Sequence, residues 1–244
     1  MVNKLVLQRI INKNHLGEIP SVKWKIEDKV MTIDFMTLNK DVIGNITHTD
    51  IDLEDSTLVV FDTKRLLNLV NITSGDLLIT LEKTKAVYTK MFLADNDFNL
   101  TYALSDPLLI GKIGTVDEPE WDMILPLEKE QVDNLVKAKS ALTGVGNMTI
   151  SPDKDLDGDD MCVVTFGDEQ GHNNKITYNL TGQIKPDNVS IPFNSDMFKT
   201  ILNTNKDLET GTLYLSYQGL MKLKFESLNT TSTYYMIRKE ESAF

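Results

Sequence analysis

Apolar residues recur along this chain in two rhythms. In four stretches they return every three or four positions, the spacing that gives a helix one buried side. These are residues 3–16, with Leu7, Ile10 and Ile11; 63–71, behind Asp62 as an N-cap; 128–142, with Val132, Leu135, Val136 and Leu142; and 195–203, behind Asn194 as cap. Elsewhere the apolar runs are short, β-branched and broken by Gly, Asn and Asp, as strands and turns are. Such runs occupy 30–35, 41–47, 77–81, 86–93 and 100–104. They return at 147–150, 161–166, 175–180, 212–217, 220–225 and 233–238. Each half therefore reads helix, strands, helix, strands, an α+β pattern.

The halves also share a sentence. At a constant offset of 132 positions Phe61 meets Phe193, Asp62 meets Asn194 and Thr63 meets Ser195. Leu66 meets Phe198, Leu69 meets Ile201, Val70 meets Leu202 and Asn71 meets Asn203. Each copy is a strand end, a capping residue and an amphipathic helix. A repeat of this length means two related domains rather than a solenoid of small units. The expected division is 1–108, a linker over 109–126 rich in Pro, Gly, Asp and Glu, and 127–244. From the end of the first domain into the linker runs an apolar island, Leu108, Leu109, Ile110 and Ile113, which a plain spacer does not need. Those four residues are candidates for docking a partner peptide. Tyr235 and Ile237 read instead as ordinary core.

Charge sharpens the picture. The whole chain carries a net −11. The helical stretches, taken as 3–16, 63–71, 127–142 and 195–206, hold ten basic and four acidic residues, a net +6 that leaves −17 for the remainder. A body that repels nucleic acid overall can still attract it through a segregated basic surface. The candidates for that surface are Lys4, Arg9, Lys13, Lys64, Arg65, Lys137, Lys139 and Lys199. Lys137 and Lys139 lie two positions apart on one helix and so point in different directions.

Catalytic and metal signatures are weak. The single cysteine, Cys162, excludes an internal disulfide and reads as a small buried apolar residue. His15, His48 and His172 are scattered. The run Asp153, Asp155, Asp157, Gly158 and Asp159 imitates the start of a calcium loop, but its twelfth position is Val164 and the next segment reads as strand. It is expected to be an acidic hairpin turn. No phosphate-binding or dinucleotide glycine pattern occurs. No enzymatic activity, metal or cofactor is expected, and no apolar stretch approaches the length of a membrane span.

Several motifs, in their order and spacing, resemble one family. They are the strand-to-helix unit from Val60 to Leu67, the tripeptide Ser105-Asp106-Pro107, the helix from Leu127 to Val136, the hairpin from Gly219 to Phe225 and a C-terminus closing on Phe244. Together they resemble the DNA sliding clamps, or processivity factors, of T-even-type bacteriophages, related in fold to proliferating-cell nuclear antigen. The resemblance implies two repeated clamp domains, each with two helices backed by antiparallel sheets. It implies a homotrimeric ring with twelve helices around double-stranded DNA and strand-to-strand joints between subunits. A clamp-loader ATPase opens such rings, and DNA polymerase and other partners dock peptide tails near the interdomain linker. The compartment implied is the cytoplasm of an infected bacterium. The competing expectation is a two-domain, β-rich virion structural protein without DNA contact.

Overall fold

The computed structural model describes residues 1–167 and 174–239, so His172 and Phe244 lie outside the described residues. Residues 1–115 with 229–232 form one compact unit, and residues 116–228 with those from 233 onward form the other. The last residues of the expected linker belong to a strand, Met123–Leu127.

The first unit contains helices α1 (Lys4–His15) and α2 (Thr63–Ile72). Four of its strands lie side by side in the order Val42–His48, Val30–Met36, Val22–Glu27 and Ser56–Val60. A second sheet runs Val2–Asn3, Asp76–Thr84, Val87–Ala94 and Asn99–Ala103. The second unit repeats the plan with α3 (Lys129–Ala141) and α4 (Ser195–Thr204). Its first sheet runs Ile176–Leu180, Asp160–Phe166, Asn147–Lys154 and Ile191–Asn194. Its other strands run Gln183–Ile184, Met123–Leu127, Thr210–Ser216, Leu220–Ser227 and, from Thr233 onward, Thr230–Ile237. Neighbours pair antiparallel, for example Trp24 with Ile33 and Val164 with Tyr178.

The four helices form where their spacing predicts, within a residue or two of the expected bounds. Two of the strands that escape the pattern show why. Val22–Glu27 buries Val22, Trp24 and Ile26 in strict alternation, but Lys23 and Lys25 interrupt the apolar run. Met123–Leu127 contains Pro126, which argues against a strand. Its outer neighbour, Gln183–Ile184, pairs only with Ile124 and Met123, so the proline lies beyond that ladder and costs it no donor.

Alternation also corrects one expectation at the C-terminal strand. Tyr234 and Met236 are the core residues, while Ile237 is 52% exposed and Tyr235 points outward. The first unit has one tight crossing. Phe35 faces Gly44 across paired strands, and a Cβ at Gly44 would stand 2.1 Å from the Phe35 ring. No helix among the described residues is long and apolar enough to cross a membrane.

Candidate nucleic-acid interface

In each unit the two helices pack on one another, α1 on α2 and α3 on α4. The start of α1 meets the end of α2. Lys4 Nζ donates to Asn71 O at 3.0 Å and also to Thr73 O, and Gln8 Nε2 donates to Asn71 Oδ1 at 2.7 Å. The end of α1 meets the start of α2, where His15 Nδ1 lies 2.8 Å from Thr63 Oγ1. The pair is antiparallel. So is the second, in which Lys139 Nζ lies 2.8 Å from Asp196 at the start of α4 and Lys206 Nζ lies 3.0 Å from Asp133.

The repeat extends to the hydrogen bonds of the helix that follows the cap. Asp62 Oδ1 accepts from Arg65 N at 2.8 Å, and Asn194 Oδ1 accepts from Met197 N at 3.1 Å. The next residue in each copy is a buried hydroxyl that pins the helix to the loop after its partner. Thr63 N and Oγ1 donate to Pro20 O and Ile19 O; Ser195 N and Oγ donate to Gly146 O and Val145 O. Sequence reading finds the caps and misses these pins. Their signal is a Thr or Ser one place after the cap in both copies.

The eight expected cations do not share one fate. Arg9, Lys64, Arg65 and Lys137 are exposed, and Lys199 is half-exposed. Lys4 is engaged with the carbonyls that end α2, where a cation is favoured by unpaired C=O groups and the helix dipole. Lys13 and Lys139 are 1% and 4% exposed and cannot reach an external phosphate without leaving the core. They are corrected to packing residues, whose apolar stems suit burial. Lys129, outside the expected set, is exposed beside Glu128 and Glu130. Lys206 holds Asp133 below its ordinary carboxylate value, chiefly through its hydrogen bond.

The apolar island is only partly covered. Asp106 caps a short turn over Pro107–Leu109, its Oδ1 accepting from Leu108 N at 2.8 Å. Leu108 is 90% exposed and Leu109 66%, with Ile110 and Ile113 half-buried.

Among the described residues, Cys162, His48 and the acidic run are accounted for by packing or turns. Cys162 is buried, and burial pushes its thiol up to about 12. Burial lowers the pKa of His48 against the opposing pull of Asp50. The acidic run is the connection between paired strands, closed where Lys154 faces Asp160. Asp155 Oδ1 accepts from Asp157 N and Asp159 N, both at 2.9 Å, which is turn chemistry.

Sheet edges differ. Asn99–Ala103 and Ile176–Leu180 end their sheets as five-residue strands without proline. The opposite ends are the two-residue Val2–Asn3 and Ile191–Asn194, which contains Pro192. At Ser56–Val60, Val59 O is already covered by Ser105 N at 3.1 Å. Short or proline-bearing edges resist pairing, and the two clean ones invite it.

No protein-family model matches the sequence, and no curated protein matches it significantly. Solved structures do. Proliferating Cellular Nuclear Antigen from Entamoeba histolytica is 15% identical, with TM-score 0.76 over 98% of this chain and 96% of that one. A. fulgidus PCNA, solved with the C-terminal region of FEN-1 bound, is 14% identical, with TM-score 0.78 over 99% and 98%. A chain of the PCNA2-PCNA3 complex from Sulfolobus tokodaii is 11% identical, with TM-score 0.75 over 99% and 98%. The likeness runs from end to end on both sides, and the chain has the two-domain α+β fold of the PCNA-type clamps.

Proposed function

We propose that this protein is a DNA sliding clamp of phage type, a non-catalytic ring of three copies that encircles duplex DNA and tethers a DNA polymerase. A loader ATPase would open it, in the cytoplasm of an infected bacterium. The observation that carries the reading is the end-to-end clamp fold combined with exposed cations on its paired helices in an otherwise acidic chain. Arg9, Lys64, Arg65, Lys137 and Lys199 supply non-specific, salt-sensitive attraction to phosphates, which holds DNA without reading bases. The joints would form where Asn99–Ala103 of one copy pairs with Ile176–Leu180 of the next, removing both open edges as the ring closes. Leu108, Leu109, Ile110 and Ile113 would receive the peptide tails of partners, as A. fulgidus PCNA binds the C-terminal region of FEN-1.

Light scattering across concentration and salt tests the ring. A closed trimer has three times 27.6 kDa, about 83 kDa. A stable monomer, or an open series of larger species, would remove the ring and bring the virion reading forward. The double variant Lys64→Glu, Arg65→Glu should keep the trimer and lose DNA-dependent stimulation of polymerase. Wild-type stimulation in that variant would overturn the DNA-facing assignment.

A further inference from the structure

His15 ends α1 and meets the start of α2, both in the first unit, and a single ring nitrogen makes its contacts. Nδ1 lies 3.0 Å from Ile19 O and 2.8 Å from Thr63 Oγ1. A carbonyl only accepts, so Nδ1 carries the hydrogen. Thr63 agrees, because its one hydroxyl hydrogen goes to Ile19 O at 2.5 Å and leaves Oγ1 an acceptor. The partners therefore assign the neutral ring as the Nδ1–H tautomer, and Nε2 keeps a bare lone pair. Among the described residues, the buried side-chain atoms without a partner are Asn14 Oδ1, Trp24 Nε1 and Ser232 Oγ. Nε2 has no partner among those residues either, so in this half-buried ring it is open to solvent.

The fold does not need an imidazole at this place. In the second unit Ser195 Oγ makes the same pin to Val145 O at 2.7 Å. The last turn of α3 sets beside it Ala141 and Ser140, whose hydroxyl donates to Val136 O of its own helix. The pin therefore forms without a ring above it, and the ring of His15 is an addition of the first unit.

Protonation at Nε2 adds a charge and a donor and leaves both Nδ1 contacts as they are. The ring can change charge without moving the helices. Its charged surroundings are mixed. Asp62, Lys64 and Arg65 stand at the start of α2, with Asp62 engaged by Arg65 N and Nε. Glu18 follows α1, its N donating to His15 O at 3.0 Å. The strand Val42–His48 packs against α1, and the titratable group on its buried side is His48, whose Nδ1 lies 2.8 Å from Thr230 Oγ1. On α1 itself the charged residues are Lys4, Arg9 and Lys13.

We propose that His15 is a further phosphate contact of the DNA-facing surface, a donor that protonation of Nε2 switches on beside Lys64 and Arg65. This rests on the sliding-clamp reading above. The grip on the duplex backbone then tightens as pH falls, through a ring already fixed in place and so ordered at little further cost.

The test follows the salt dependence of short-duplex binding by the full-length chain, for wild type, His15→Gln and His15→Lys. It is run at about pH 8 and about pH 5.5, which bracket the range where histidine changes charge. The wild-type log–log slope should steepen at the lower pH by up to about 0.9 per copy of the chain, the value of one added phosphate contact. His15→Gln should show no such steepening, and His15→Lys should keep one slope at both pH values. A second arm needs no variant. Ring protonation of His15 is followed by NMR with and without duplex, with buried His48 as the internal reference. Because coupling is reciprocal, a duplex that prefers the protonated ring must raise the His15 midpoint, and by more than that of His48. A wild-type slope that ignores pH, steepening that survives in His15→Gln, or a His15 midpoint that duplex does not move would each overturn the contact and leave the clamp reading standing. Failure to bind duplex at either pH would remove the clamp reading and this contact with it.

Discussion

The two helix pairs share one geometry and differ in what their charges do. At the offset of 132, α2 carries Lys64 and Arg65 where α4 carries Asp196 and the buried Met197. An acid in the first turn suits the positive end of the helix macrodipole, and a cation there opposes it by roughly 0.3–1 kcal/mol. In α4 the favourable choice is made, and Asp196 also closes an ion pair with buried Lys139 at 2.8 Å. In α2 two exposed cations stand against the dipole, with Asp62 3.6 Å from Arg65 Nε as local relief. Charges that join helix to helix belong to the fold. Charges that oppose their own helix and face solvent are available to something outside the chain. On the proposed clamp reading, the first unit's helices should therefore carry more of the attraction to DNA than the second's.

The largest expected effect tests that asymmetry directly. Salt dependence of DNA retention is compared for Arg9→Gln, Lys64→Gln, Arg65→Gln and for Lys137→Gln, Lys199→Gln. The log–log slope falls by about 0.9 for each phosphate contact removed. Counted per copy of the ring, the triple variant should lose up to about 2.7 of slope, and the double variant clearly less than about 1.8, because Lys199 is only half-exposed. Equal loss per residue removed would erase the distinction between the units.

The helices and the repeat are legible in the amino-acid sequence alone. Periodicity and caps are local properties, and local chemistry places α1 to α4 closely. The sites are less legible, because the sequence shows which residues are charged and not which neighbour they will meet. Lys139 looks like Lys137 in the sequence, yet one is buried against Asp196 and the other is exposed. Glu118, Glu120 and Asp122 have the composition of a solvated linker. Their alternation marks one side of an extended segment, but their partners Lys222 and Lys185 lie 104 and 65 positions away. Pro126 hides a strand because its tolerance depends on where a neighbouring strand stops.

A stability comparison at one repeat position gives the next effect. Asp196→Ala leaves Lys139 buried without its carboxylate, and should cost about 1–3 kcal/mol in chemical denaturation, the usual penalty for stranding a buried polar group. Lys64→Ala, at the same place in the first unit, should stay within about 0.5 kcal/mol, as exposed sites do. Equal costs would show that the two positions are not used differently.

The smallest effect is a pH dependence confined to one helix pair. The hydrogen bond from Lys206, aided by the fields of Lys137 and Lys129, holds Asp133 below its unfolded pKa. A carboxyl depressed in this way stabilises the folded state above its unfolded pKa. That contribution is lost as pH falls through the folded value. The corresponding link at the start of α1 runs from Lys4 to backbone carbonyls and contains no carboxylate to titrate. As pH falls from about 5 through the folded value of Asp133, amide protection at the end of α4 should therefore fall before protection at the end of α2. The difference should be modest, because both side chains of the Asp133–Lys206 pair are more than a third exposed. Asp133→Asn should abolish it. If α2 loosens first, or the order survives in the Asn variant, the ion pair is not what distinguishes the second helix pair, and the asymmetry rests on the α2 cations alone.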